Sequence, residues 1–243
     1  MLFDAHIHAG MFPDVVSVVK CAQDNGITPI LVGIYPDECL QTLEKLSNNN
    51  LVTPVFVGIH PWYASEHGFD DDKFAILLKS PLVKGIGECG LDNKIAMPLN
   101  EQLTLLQKHL ELAAHYNLPV NLHIRGYHNE LLNCLKKYQS RVVGIIHNFT
   151  FSYEIAKRYL DIGYLLSVGH FVLTPSAKLT SVLNLVGLDN IVLETDLDYL
   201  HTGQYDHNLL KKEYVALGSL LNTTTDKIEL TIEKNLKNIL GNE

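Results

Sequence analysis

Asp4-Ala5-His6-Ile7-His8 places two imidazoles two residues apart in an apolar run. In a strand, residues two apart face the same side, so Asp4, His6 and His8 point together. Two imidazoles on one face can chelate a single divalent ion, at roughly 2.0–2.1 Å per bond for zinc. Asp4, one layer deeper, is placed to accept an N–H from a ligand histidine or to cap the floor beneath it. Two ordinary strand histidines would look the same, so residues elsewhere must decide.

Four other apolar runs end on a metal-ligating side chain: Glu88 in GECG, His123 in LHIRG, His147 in IIHNF and Asp196 in LETD. Any one of them could be a strand turning polar as it meets solvent. Five runs doing so with only His, Glu and Asp point to a metal centre. Six ligands exceed the three plus water of a single open catalytic ion. Two ions about 3.5–4 Å apart need a bridging group, and Glu88 lies between the histidine groups in chain order. The expected sets are His6, His8, Glu88 and Asp196 on one ion, with Glu88, His123 and His147 on the other. Zinc, manganese, nickel and magnesium all suit such donors. Asp196, with a second free oxygen, is expected to orient a water and take its proton, so Asp196 and Glu88 are the expected catalytic pair.

Residues this far apart need a scaffold that gathers strand ends. Eight β-rich runs recur at 2–8, 28–34, 53–59, 83–88, 119–124, 141–147, 164–169 and 190–195. Their spacing is roughly 30 residues, the length of one strand-plus-helix crossover. The stretches between are amphipathic. LNEQLTLLQKHLELAAHYN puts Leu103, Leu106, Leu110 and Ala113 on one stripe, and SYEIAKRYLDIG starts after a capping Ser152 and stops at Gly163. This alternation predicts a parallel sheet with helical crossovers. Ligands at the ends of many strands, rather than at one switch point, select a (β/α)₈ TIM barrel of the α/β class. Neither GxGxxG nor GxxxxGK[ST] follows a strand, which argues against nucleotide binding. No linker interrupts the pattern, so residues 1–243 read as a single domain.

The net charge is −8, with no basic cluster larger than Lys136-Lys137 and Lys211-Lys212. Proteins that wrap long duplexes present a basic face to displace counterions, which excludes that class. A single-stranded nucleic acid end, or a small phosphoester, met by the charge of metal ions is compatible. No apolar run approaches the ~20 residues of a membrane span, and MLFDAHIHAG lacks the basic-then-apolar order of a secretory signal. Cys21, Cys39, Cys89 and Cys134 lie far apart and read as reduced. A cytoplasmic monomer without membrane contact is expected.

In this order and spacing, DAHIH, GIHPW, GIGECGLD, LPVNLHIRG, IIHNF and LETD resemble the TatD family of metal-dependent hydrolases, barrel enzymes related to the amidohydrolases. The similarity runs from residue 2 to about residue 240, where TIEKNLKNIL matches the family's last helix. It implies that the six residues above are the metal ligands and that His60 and Arg125 lie by the substrate phosphate. The activity it implies is that of a metal-dependent DNase trimming single strands from the 3′ end. Two departures border the substrate. Asp198 stands where the family often has proline, and Asn148-Phe149-Thr150-Phe151 replaces an SGS-like turn. Read from the residues alone, His60 could instead hold the turn before Pro61, and Arg125 could clamp a carboxylate. Trp62 and Tyr63 either stack a base at the entrance or pack a loop. His67, His109, His115 and His207 are expected at the surface, and Cys89 behind Glu88. His128, His170 and His201 follow strand ends without an assigned role. The rival readings are a hydrolase of a small ester, amide or phosphoester on the same scaffold, and a non-catalytic interaction subunit that keeps metals for stability.

Overall fold

The β-rich runs and amphipathic stretches fold as strands and helices in strict alternation. The computed structural model describes residues 1–198, 200 and 203–241. The strands are β1 (Leu2–Ile7), β2 (Ile27–Val32), β3 (Val55–Val57), β4 (Val83–Asp92), β5 (Val120–Arg125), β6 (Gly144–Ile146), β7 (Leu165–Val168) and β8 (Ile191–Leu193). They stand in chain order in one eight-stranded sheet, every neighbouring pair parallel. The crossovers carry α1 (Val15–Asp24), α2 (Pro36–Asn48), α3 (Asp71–Leu77), α4 (Leu99–Tyr116), α5 (His128–Lys136), α6 (Tyr153–Leu160) and α7 (Ala177–Val186), and α8 (His207–Leu220) and α9 (Thr225–Leu240) follow β8. This is the TIM (β/α)₈ barrel that the sequence predicts.

The last strand meets the first through polar contacts at the C-terminal mouth. Asp196 N–H donates to the His6 carbonyl at 3.0 Å, and His8 N–H donates to the Leu197 carbonyl at 3.0 Å. Below them, the buried Asp4 carboxylate accepts Thr195 N–H at 2.9 Å and Thr195 Oγ1–H at 2.6 Å. Asp4 therefore ties β1 to β8, and it also accepts the backbone N–H of His6 rather than an imidazole proton.

Local chemistry fixes the crossovers. Asp14 caps α1 by accepting from Val16 N and Ser17 N, and the chain leaves that helix through Gly26 at φ 75°. Pro36 occupies the first turn of α2, where its missing N–H costs nothing. Ser152 stands at the N-cap of α6, but its side chain makes no capping bond. Strand limits differ from the expected ones: β3, β6 and β8 are shorter than the runs 53–59, 141–147 and 190–195, and β4 continues past Glu88 to Asp92 because Gly90, Leu91 and Asp92 pair with His123, Ile124 and Arg125.

Buried side chains of the strands and helices form one continuous apolar cluster. His109 is a correction: it is fully buried, not at the surface. It lies one turn beyond Leu106, on the stripe of α4 that faces the sheet, where a buried polar ring needs partners. Its Nε2 accepts Ile59 N–H at 3.1 Å and its Nδ1 donates to the Leu105 carbonyl at 2.8 Å, while burial lowers its pKa to about 4. His67 and His207 are half-buried and only His115 is exposed among the four. His201 lies outside the described residues. Among the described residues no helix is long and apolar enough to cross a membrane.

Candidate metal centre

β1 aims His6 and His8 into the barrel, as period-two geometry requires. His8 Nδ1 lies 2.8 Å from the Val32 carbonyl, which can only accept, so Nδ1 carries the proton and Nε2 presents a lone pair. His6 Nδ1 is 3.0 Å from Asn121 Oδ1, an orientation fixed by Asn121 Nδ2 donating to the Ala5 carbonyl. The two Nε2 atoms are 3.2 Å apart, and each is 3.2 Å from Glu88 Oε2. That oxygen is buried and has no hydrogen-bond partner among the described residues. Asp196 Oδ1 stands 3.8 Å from His6 Nε2 and 3.7 Å from His8 Nε2. Electron pairs packed this closely repel unless a cation lies among them. Tetrahedral bonds of about 2.0–2.1 Å separate ligand atoms by roughly 3.3–3.4 Å, so a divalent ion fits this donor set.

Glu88 is delivered by β4 between two glycines. Gly87 has φ 148° and Gly90 φ 155°, and a Cβ at Gly90 would overlap the His123 carbonyl. Only glycine lets β4 and β5 approach this closely. The second carboxylate oxygen, Oε1, faces the opposite group: His123 Nδ1 at 2.9 Å, His60 Nε2 at 3.3 Å and His147 Nε2 at 3.6 Å. The two oxygens of one buried side chain thus face two histidine groups, which adjoin where the His6 and His147 rings stack at 4.0 Å.

Carboxylates grip the far nitrogens of that second group. His123 Nε2 lies 3.2 Å from Asp92 Oδ2, and His147 Nδ1 lies 3.0 Å from Glu194 Oε1. Asp92 also accepts Trp62 Nε1–H at 2.7 Å and Lys94 N–H at 2.7 Å, while Glu194 accepts Asn148 N–H at 2.7 Å. Each carboxylate selects the ring tautomer that leaves the inward nitrogen free to bind. His60 differs. Its Nδ1 accepts Trp62 N–H at 3.0 Å, so its proton sits on Nε2 and points at Glu88.

The site is electrostatically dense. Burial alone would raise the Glu88 carboxyl, but His60, His147 and His6 outweigh it and hold the group well below the usual carboxylate range. Burial would lower His6, yet the Glu88 carboxylate pushes it up to about 10, and Asp92 and Glu88 together lift His123 to about 9 against the same burial. Glu88 is thus held as a carboxylate, and His6 and His123 keep protons beside it in the absence of a cation.

Above the centre opens a cavity of about 770 Å³. His60 and Arg125 both line it, His60 buried and Arg125 exposed. The Arg125 side chain makes no hydrogen bond or ion pair among the described residues, so it is not the carboxylate clamp. Asn148, Thr150 and Phe151 form one wall and Asp198 part of another, so both departures from the family pattern border the cavity. Trp62, His170 and Phe171 stand at the rim.

The six expected ligands therefore converge beneath one mouth, and three overlapping groups could hold an ion: His6, His8 and Glu88; His6, His147 and Asp196; His60, Glu88 and His123. Reading the sequence missed Asn121, Asp92 and Glu194. The signal for two of them was present, because Asn121 precedes His123 by two residues and Glu194 precedes Asp196 by two. Asp92 lay hidden beyond a strand taken to end at Glu88.

The family profile described as TatD related DNase matches residues 3–241. An uncharacterized metal-dependent hydrolase of Haemophilus influenzae is 30% identical over 212 residues, 80% of either chain. A 3′-5′ ssDNA/RNA exonuclease TatD of Erwinia billingiae is 33% identical over 189 residues, 75% of this chain and 72% of the relative. The crystal structure of YjjV, a TatD homologue from Escherichia coli, superposes with a TM-score of 0.84 at 26% identity, covering 98% of this chain and 97% of the other. With a matching profile across nearly its whole length and a buried set of metal donors beneath an open cavity, the chain belongs to the TatD-related DNase family of metal-dependent hydrolases.

Proposed function

We propose that this chain is a two-metal phosphodiesterase that trims single-stranded DNA from the 3′ end. The observation that carries the reading is the division of Glu88, with Oε2 against His6 and His8 and Oε1 against His123 and His147. A carboxylate arranged in this way is a natural bridge between two ions. His6, His8, Glu88 and Asp196 would hold one, and Glu88, His123 and His147 the other. Bound divalent ions supply a water of lowered pKa and a positive field for the phosphoryl oxygens.

The chain's own residues do the rest. Asp196 is the most solvent-accessible of the six, at 28% of its side chain against 13% or less for the others. Its Oδ2 is held by Asn148 Nδ2 at 3.3 Å. That makes Asp196 the group to orient the attacking water and accept its proton. Arg125, unengaged at the mouth, receives the phosphate, and His60 keeps its Nε2 proton directed at Glu88 on the substrate side. Sequence similarity to the Erwinia billingiae exonuclease supports the choice of a nucleic-acid strand.

The test compares chelator-treated protein with protein restored in Mg²⁺, Mn²⁺, Zn²⁺ or Ni²⁺, on end-labelled single-stranded DNA, RNA and a small phosphodiester. Metal-dependent shortening from the 3′ end is expected, and Asp196→Asn should lower kcat by about 10²–10⁴-fold with an unchanged circular dichroism spectrum. Hydrolysis of the small ester alone would assign the site to a small-molecule substrate. Near-normal turnover by Asp196→Asn would remove that residue from the mechanism.

A further inference from the structure

Exposed aromatic side chains are scarce on this molecule. Among the described residues Trp62, Tyr116 and Phe171 are the exposed ones, and two of the three stand on the rim of the metal cavity. Trp62 follows β3 on the turn Pro61–Tyr63, and Phe171 follows β7 on the turn His170–Val172. With the strands in order β1 to β8, β3 and β7 are four apart, so the two rings rise from opposite sides of the barrel.

Both rings are held, and both keep a face open. Trp62 donates its indole N–H to the buried Asp92 carboxylate at 2.7 Å and packs edge-on against His60 at 5.1 Å, yet remains 49% exposed. Phe171 lies against the His170 ring at 4.1 Å on a turn closed by Val172 N–H to Gly169 O and Leu173 N–H to His170 O, yet remains 40% exposed. Fixed, half-open rings lose little conformational freedom when a flat partner stacks on them.

We propose that Trp62 and Phe171 are opposed stacking platforms that take the nucleobases flanking the scissile phosphate. The proposal rests on the phosphodiesterase reading above and narrows it to strands bearing a base on each side of the cleaved bond. Charge favours the same view. With a net charge of −8 and no basic cluster larger than two lysines, positive charge for the strand is confined to the metals and Arg125, and flat apolar contacts add to it. Asp92 gives Trp62 a second effect, since the carboxylate that anchors its indole also holds His123 Nε2.

Trp62 is the chain's one tryptophan, so fluorescence excited at the red edge, where its eleven tyrosines do not absorb, reports on this platform alone. The experiment titrates Mg²⁺-loaded protein with phosphorothioate trithymidylate, which resists cleavage, and with the same backbone carrying tetrahydrofuran in place of each base. Affinity of the abasic strand is read by competition. Quenching by the base-bearing strand only is expected, with binding at least tenfold tighter than for the abasic one. Phe171→Ala should weaken the base-bearing strand by about five- to a hundredfold, the range associated with one stacked base, and so remove most of the discrimination. Equal affinity for both strands, or undiminished discrimination in Phe171→Ala, overturns the proposal. Base-selective quenching without any strand hydrolysis would keep the platforms and refute the nuclease. Hydrolysis of base-bearing and abasic phosphodiesters at equal kcat/KM would do the reverse.

Discussion

At the scale of single residues, the centre depends on groups that never reach the ion. His147 can offer Nε2 inward only while Glu194 takes the proton of Nδ1, and His123 offers Nδ1 only while Asp92 takes the proton of Nε2. Removing one oxygen's charge in Glu194→Gln or Asp92→Asn keeps the shape but weakens the hold on the ring and its basicity. Each substitution should reduce metal affinity by about 10- to 100-fold, measured by calorimetric titration of chelator-treated protein. Glu194→Gln should also relax Asn148, whose N–H shares Glu194 Oε1. Parent-like affinity in both variants would mean that the imidazoles are oriented by packing alone.

At the scale of elements, the strands were legible because apolar runs at one crossover spacing leave few alternatives to a parallel barrel. The ligands were legible because each closes such a run. What local pattern could not reveal was how far β4 continues: Glu88 and two glycines look like a strand ending, yet Gly90 is there because β5 passes too close for a Cβ. Nor could it place Glu213. On α8 it falls three residues after Leu210, on the buried face, where neither carboxylate oxygen finds a partner among the described residues. Burial, reinforced by the negative charges of Asp4 and Glu194, raises its pKa from 4.5 to about 9. The folded chain therefore keeps a proton that the unfolded chain releases above about pH 4.5, so this group costs stability as pH climbs toward 9. Glu213→Gln mimics the protonated form. Its melting temperature should exceed the parent's at pH 8, with the gap narrowing toward pH 5; melting curves that run parallel across that range would show that Glu213 is already satisfied.

At the scale of the whole molecule, the centre couples folding, metal and pH, because a barrel that buries Glu88 among histidines must supply positive charge to its floor. Without an ion the charge comes from protons, with His6 raised to about 10 and His123 to about 9. A folded-state pKa above the ordinary 6.5 contributes stability that is complete below pH 6.5 and fades as pH rises through 9 and 10. An ion takes the place of those protons, so its apparent affinity increases about tenfold per pH unit for each proton displaced. Raising pH therefore weakens the ion-free barrel while tightening ion binding, so the gap between ion-free and loaded protein widens. At an ion concentration a hundredfold above Kd the linkage is worth roughly 2.7 kcal/mol, which at about 2–4 °C per kcal/mol for a chain of this size is roughly 5–11 °C in Tm. Thermal unfolding in chelator and in excess Zn²⁺ should therefore differ more at pH 8 than at pH 6, at one fixed ion concentration. An equal shift at both values would mean that the ion displaces no proton, and the histidines could not then be the groups that receive it.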